Sequence, residues 1–120
     1  MQPEEKQVPP KKKIKLRWIL LIVVIIFVNS RIFTTNRWIA HPNRRGKMLF
    51  HLSLMHDFDG MTEAEVIEIL GEESNTSFFQ TGNNLVYCLG PEPGLISIDD
   101  AWMIIEFTDG VVSSINVTTD

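Results

Sequence analysis

Residues 18–28 read WILLIVVIIFV, eleven apolar residues in succession. A run without polar interruption has no amphipathic face, so as a helix it cannot bury one side in a small core and wet the other. It follows Lys11, Lys12, Lys13, Lys15 and Arg17 and runs into Asn29-Ser30-Arg31, then Ile32 and Phe33. A bilayer core of roughly 30 Å takes about 20 helical residues. Eleven are too few, but with Lys15 and Arg17 snorkelling outward the usable stretch extends over residues 14–33. That reading makes 14–33 a transmembrane helix. It sets Trp18 and Trp38 near opposite membrane interfaces, with Lys13, Lys15 and Arg17 among the headgroups on the N-terminal side. A cleavable signal peptide shares the basic and apolar regions, with Val28 and Ser30 at the −3 and −1 positions. No Ala-x-Ala marks a cut, so an uncleaved anchor is the expectation. No cysteine stands just after the run, which excludes a bacterial lipoprotein anchor.

The charges are divided along the chain. Residues 1–47 hold all 11 Lys and Arg with only Glu4 and Glu5, whereas every one of the other 13 acidic residues lies in 48–120, where Lys and Arg are absent. The acidic part has nothing to displace counterions from phosphates, so nucleic acid is excluded as its partner. The boundary separates a tether from a domain. Residues 1–13 read as a disordered basic N-terminus, with Pro3, Pro9 and Pro10. Residues 34–44 read as a juxtamembrane linker broken by Pro42, and 45–120 as the acidic domain. Residues 31–50 also mix basic and apolar side chains in the manner of a segment lying on anionic headgroups, but the linker reading is preferred. Five basic residues flank the apolar run on each side; the N-terminal ones are denser and closer. The expected topology is therefore N-terminus cytoplasmic, domain outside.

Within the domain, residues 60–71 read GMTEAEVIEILG. Thr62 is a good N-cap and Glu65 completes a capping box; Met61 and Val66 have hydrophobic-staple spacing, and Gly71 supplies the stop. The spacing predicts a helix over Glu63–Leu70. Met48, Leu49, Leu52 and Met55 predict another over residues 45–57. Beyond Gly71 the pattern becomes strand-like at Leu85–Leu89, Ala101–Phe107 and Val111–Val117, with a short preceding strand at Phe78-Phe79. For the last hairpin, a three-residue Thr108-Asp109-Gly110 loop with a bulge separates the faces best. It puts Ala101, Met103, Ile105, Phe107, Val111, Ile115 and Val117 under the helices. Trp102, Ile104 and Val112 then fall on the outer face, as a candidate partner surface unless the Gly90–Asp100 loop covers them.

Gly60-Met61-Thr62, Glu65-Val66, Leu70-Gly71-Glu72, Tyr87 and Phe107-x-Asp109-Gly110-Val111 together resemble the small SmpA/OmlA (BamE-like) domain over about residues 45–118. The resemblance implies an α+β fold with two short helices packed on one face of a three-stranded antiparallel sheet. Leu89-Gly90-Pro91-Glu92 and Ile98-Asp99-Asp100-Ala101-Trp102 also resemble a group of uncharacterised small, membrane-anchored bacterial proteins. Glu73 stands where that family often has proline. The resemblance implies fold rather than activity.

No catalytic constellation is present, and the expectation is a protein that is not an enzyme and uses no cofactor or metal. His51, His56, Asp57 and Asp59 lie close in sequence, but His-x4-His does not place both rings on one helix face. Asp57-Phe58-Asp59-Gly60 lacks the further carboxylate and glycine placement of a calcium loop. Asp99 and Asp100 read as a turn, and Cys88 as a small buried hydrophobe without a basic neighbour. Asn75-Thr76-Ser77 and Asn116-Val117-Thr118 match the glycosylation acceptor, which matters only in a eukaryotic secretory route. The resulting expectation is a single-pass, membrane-anchored, non-catalytic binding or scaffolding protein of the bacterial envelope, touching the lipid bilayer and a protein partner. An inhibitor or immunity-type protein steered to a basic partner is the alternative.

Overall fold

The computed structural model describes residues 3–4, 15–75, 78–92 and 99–120. Helix α1 (Leu16–Asn29) is followed by α2 (Thr35–Ala40), a 3-10 turn (Pro42–Arg44), α3 (Arg45–Met55) and α4 (Glu63–Leu70). Strands β1 (Asn84–Pro91), β2 (Asp100–Thr108) and β3 (Val111–Thr119) then form one antiparallel sheet in the order β1-β2-β3. The protein is α+β, with helices packed on a three-stranded antiparallel sheet. Phe78 and Phe79 lie in a turn rather than a strand. The Asn84 side chain holds that turn, accepting from Thr81 N–H and donating to the Phe79 carbonyl.

Helix α4 begins where its cap dictates. The Thr62 hydroxyl accepts from Glu65 N–H at 3.3 Å and donates to Glu65 Oε1 at 3.2 Å. Val66 and Leu70 are buried, one turn apart on the face that joins the hydrophobic core. Helix α3 buries Arg45, Met48 and Leu52 and leaves Phe50, Leu54 and Met55 exposed.

Residues 34–44 are not a linker. Thr34 caps α2 through Arg37 N–H, and the helix carries Trp38 into the centre of the domain, fully buried. Trp38 packs edge-on between Phe33 and Tyr87, with centroid separations of 5.8 and 6.1 Å. His56 continues the aromatic row from Phe33 to Phe58. Placing Trp38 at a membrane interface is therefore corrected. The same side chain that favours an interface gains more by filling a core that two short helices leave incomplete.

The C-terminal end of the expected 14–33 helix is corrected as well. Helix α1 stops at Asn29, and Phe33 turns into the core, where its N–H donates to His51 Nδ1 at 2.8 Å. Among the described residues no helix is long and apolar enough to cross a membrane. Lys13 and Ile14 lie outside the described residues, as do the segments 93–98 and 76–77 on which the covering-loop and first glycosylation readings depend.

The β2–β3 hairpin turns on two residues, not three. Thr108 pairs with Val111, and Asp109 and Gly110 both have positive φ (54° and 80°), the pattern of a type I′ turn. The bulge is present but lies farther along, with Ser113 unpaired between Phe107↔Val112 and Glu106↔Ser114. Beyond it Ile105 faces Ile115 and Met103 faces Val117, so most of the expected face separation holds. Next to the turn it inverts: Val112 is buried and Val111 is exposed.

Candidate functional site

The helices lie over β1 and β2 and leave part of β3 uncovered. On the helix-side face Ile105 and Met103 are buried, while their β3 partners Ile115 and Val117 remain 39 % and 54 % exposed. Between them and α3 runs a groove of about 590 Å³. Leu49, Leu52, Met103 and Val112 give it an apolar lining, which His56, Asp57 and Asp59 join as polar members. A second hollow sharing Leu49 and Val117 extends it toward Leu89 and Ala101.

The two edges of the sheet differ. The outer edge of β1 is closed: Val86 N–H donates to Glu73 Oε2 at 2.9 Å, Ser74 N–H to the Val86 carbonyl, and Cys88 N–H to Ser74 Oγ. Glu73 thus caps a strand edge with its carboxylate. Among the described residues the edge of β3 is closed only at its start, where Gly60 N–H donates to the Val112 carbonyl and Val112 N–H to the Met61 carbonyl. From Ser114 to Thr119 its regular pairing is with β2 alone. The groove therefore borders an open strand edge.

The residues expected to form a partner surface do not come together. Trp102 and Ile104 are half-buried on the outer face, and Val112 is buried on the opposite one. Trp102 Nε1 donates to Asp120 Oδ2 at 3.1 Å, and its ring lies 6.4 Å from that of Phe79. Cys88, expected to be buried, is half-buried opposite Trp102 in the β1–β2 pair. Ile115 and Val117, which line the groove together with Leu49, belong by alternation to the face expected under the helices. Sequence periodicity identifies the face a residue belongs to, not whether a helix reaches far enough to cover it.

The side chains of His51, His56 and Asp57 are engaged within the fold. His51 Nδ1 accepts from Phe33, the His56 ring packs against Phe33 and Phe58, and Asp57 Oδ1 accepts from Asp59 N–H. Among the described residues no group of three or more His, Cys, Asp or Glu converges.

Two buried polar groups underpin the core near the groove. The Arg45 guanidinium donates from Nε to the Trp38 carbonyl at 2.8 Å and from Nη1 to the Cys88 carbonyl at 3.2 Å. Burial lowers its pKa from the usual guanidinium value, an effect partly offset by Cys88 and Tyr87. Tyr87 donates its hydroxyl to the Gly71 carbonyl at 2.8 Å. Burial, reinforced by Glu73, pushes that phenol well above its ordinary range. Both groups are joined to backbone carbonyls and hold elements together.

At the other end of the domain, Asn29 and Ser30 of the α1 terminus meet Arg37, His41, Arg44 and Lys47 around a hollow of about 470 Å³. Arg37 fixes the junction: Nη1 donates to the Asn29 carbonyl at 2.6 Å and Nη2 to Asn29 Oδ1 at 3.2 Å.

No protein-family model matches the chain, and no curated protein or solved structure is significantly similar to it.

Proposed function

We propose that this chain is a membrane-anchored, non-catalytic binding protein of a cell envelope, with α1 in the bilayer and the α+β domain presenting a groove to a partner. The observation that carries the reading is the state of α1. Each residue from Trp18 to Val28 is between 44 % and 63 % exposed, and the helix buries none of its residues against the domain. A soluble monomer's largest apolar patch covers roughly 300–600 Å². Eleven half-exposed large apolar side chains in one helix exceed that, and hydrocarbon is the solvent that suits them. The 14 residues of α1 rise about 21 Å, short of a roughly 30 Å hydrocarbon core, so in this reading snorkelling side chains and local thinning of the bilayer make up the rest. Lys15 and Arg17 at its start reach outward to headgroups, and Trp18 belongs at that interface. The single-pass topology with the N-terminus cytoplasmic and the domain outside belongs to the same proposal. So does kinship with the SmpA/OmlA (BamE-like) domain, which the helix-then-three-strand order of residues 45–119 supports.

The groove's occupant in this reading is an extended apolar segment of a protein partner with basic flanks. The open β3 edge offers backbone pairing, Ile115 and Val117 offer apolar contact, and Asp57 and Asp59 offer opposite charge. Flotation of the full chain with phosphatidylcholine vesicles tests the anchor. The chain is expected to float in high salt and to stay behind when residues 16–29 are deleted. A full-length chain that remains in the aqueous fraction overturns the anchor. Protease added to intact spheroplasts tests the topology, and a fully protected domain overturns it.

A further inference from the structure

The basic hollow at the end of α1 is a separate site from the groove. Three of the residues around it, Arg37, Arg44 and Lys47, carry positive charge, and no Asp or Glu lines it. The sequence has no acidic residue between Glu5 and Asp57. Among the described residues, the side chains of Arg44 and Lys47 make no hydrogen bond or ion pair and are exposed. Arg37 spends two donors on Asn29, which neutralises the negative end of α1 that would otherwise repel an anion. Ile26 of the exposed apolar helix forms one wall, so the hollow is charged on the domain side and apolar on the helix side.

We propose that this hollow binds the phosphate of an anionic phospholipid headgroup, in the leaflet where α1 ends. The proposal rests on α1 lying in the bilayer. A helix that leaves hydrocarbon at Asn29-Ser30 puts the headgroup phosphates at that level. Arg37, Arg44 and Lys47 are the side chains that meet them there. Continuity with the apolar wall favours a lipid over a free phosphate, because only a lipid supplies an acyl chain to cover Ile26. The charge division gains a purpose from this: the basic segment grips the surface while the acidic remainder of the domain is repelled from it.

The test uses the full chain in mild neutral detergent, titrated calorimetrically with three probes: short-chain phosphatidylglycerol, short-chain phosphatidylcholine and inorganic phosphate. Phosphatidylglycerol is expected to bind at least tenfold more tightly than either of the others. The double variant Arg44→Gln/Lys47→Gln is expected to lose that preference, with an unchanged circular dichroism spectrum. Equal binding of phosphatidylglycerol and inorganic phosphate overturns the proposal in favour of a free-anion site. A preference that survives the double variant, or no preference at all, also overturns it. The wild-type chain is also floated with neutral phosphatidylcholine vesicles. Flotation there without any headgroup preference removes this inference alone, whereas failure of the wild-type chain to float removes the anchor beneath it.

Discussion

Arg45 is bound to Trp38 twice over. Its Nε donates to the Trp38 carbonyl at 2.8 Å, and its guanidinium carbon lies 5.1 Å from the centre of the Trp38 ring. Its other donor reaches the Cys88 carbonyl beside the β1 bulge, so one buried side chain ties α3, α2 and the sheet together. It makes no ion pair with any described carboxylate. Its worth is therefore in the two carbonyls that it satisfies. Arg45→Met is expected to cost about 1–3 kcal/mol by leaving them without donors. Arg45→Lys is expected to recover little of that, because an ammonium lacks the planar fork. Urea midpoints of the full chain in mild detergent check both.

Tyr87 is the single tyrosine of the chain, so phenolate absorbance reports on it alone. Its folded-state pKa is raised above the unfolded value near 10, chiefly by burial. Below pH 10 both states hold the proton and its contribution is fully present. Above pH 10 the unfolded state loses the proton while the folded state keeps it, so stability falls by about 1.4 kcal/mol per pH unit. Alkaline titration is expected to show Tyr87 ionising only with unfolding. Tyr87→Phe is expected to lose the hydrogen bond, worth about 1 kcal/mol, and to remove this slope.

Gly90 marks where the 3-10 turn presses on β1. Its φ is +92°, and a Cβ there would stand 2.6 Å from the Asn43 carbonyl carbon and 2.7 Å from its Cα. Backbone on both sides cannot give way cheaply. Gly90→Ala is expected to destabilise by about 3 kcal/mol or more. Gly110 also has positive φ but open space around it. Gly110→Ala is expected to cost only about 1 kcal/mol. Thermal midpoints of the two variants separate steric conflict from conformational preference.

The hairpin register makes neighbouring valines unequal. Val112 is 3 % exposed and Val111 37 %. Val112→Asp is expected to cost about 3 kcal/mol or more by burying an unpaired carboxylate, and Val111→Asp under about 1 kcal/mol. Denaturant midpoints in that order support the two-residue turn with its bulge at Ser113. The reverse order would restore the three-residue loop.

Local chemistry was legible in the residues themselves. Thr62, Glu65 and Gly71 define α4 from Glu63 to Leu70 because a cap and a stop act within one turn of the chain. The three strands were legible from β-branched and aromatic runs, and the faces of β2 from simple alternation. Long-range competition decided the rest. Trp38 and Phe33 suit a membrane interface in isolation, but an unfilled core stood closer and took them. Asp109-Gly110 allowed either turn, and only packing of Val112 beneath Met61 and Phe58 chose between them. The groove was illegible for the same reason. Ile115 and Val117 alternate correctly for a buried face, yet none of the described helices extends over β3 to bury them. The sequence alone determined the apolar helix, the charge division and the local caps, because those properties belong to residues and their near neighbours. Only the tertiary structure decided where the apolar helix ends and which apolar face stays open, because burial depends on what else in the fold can reach the same space.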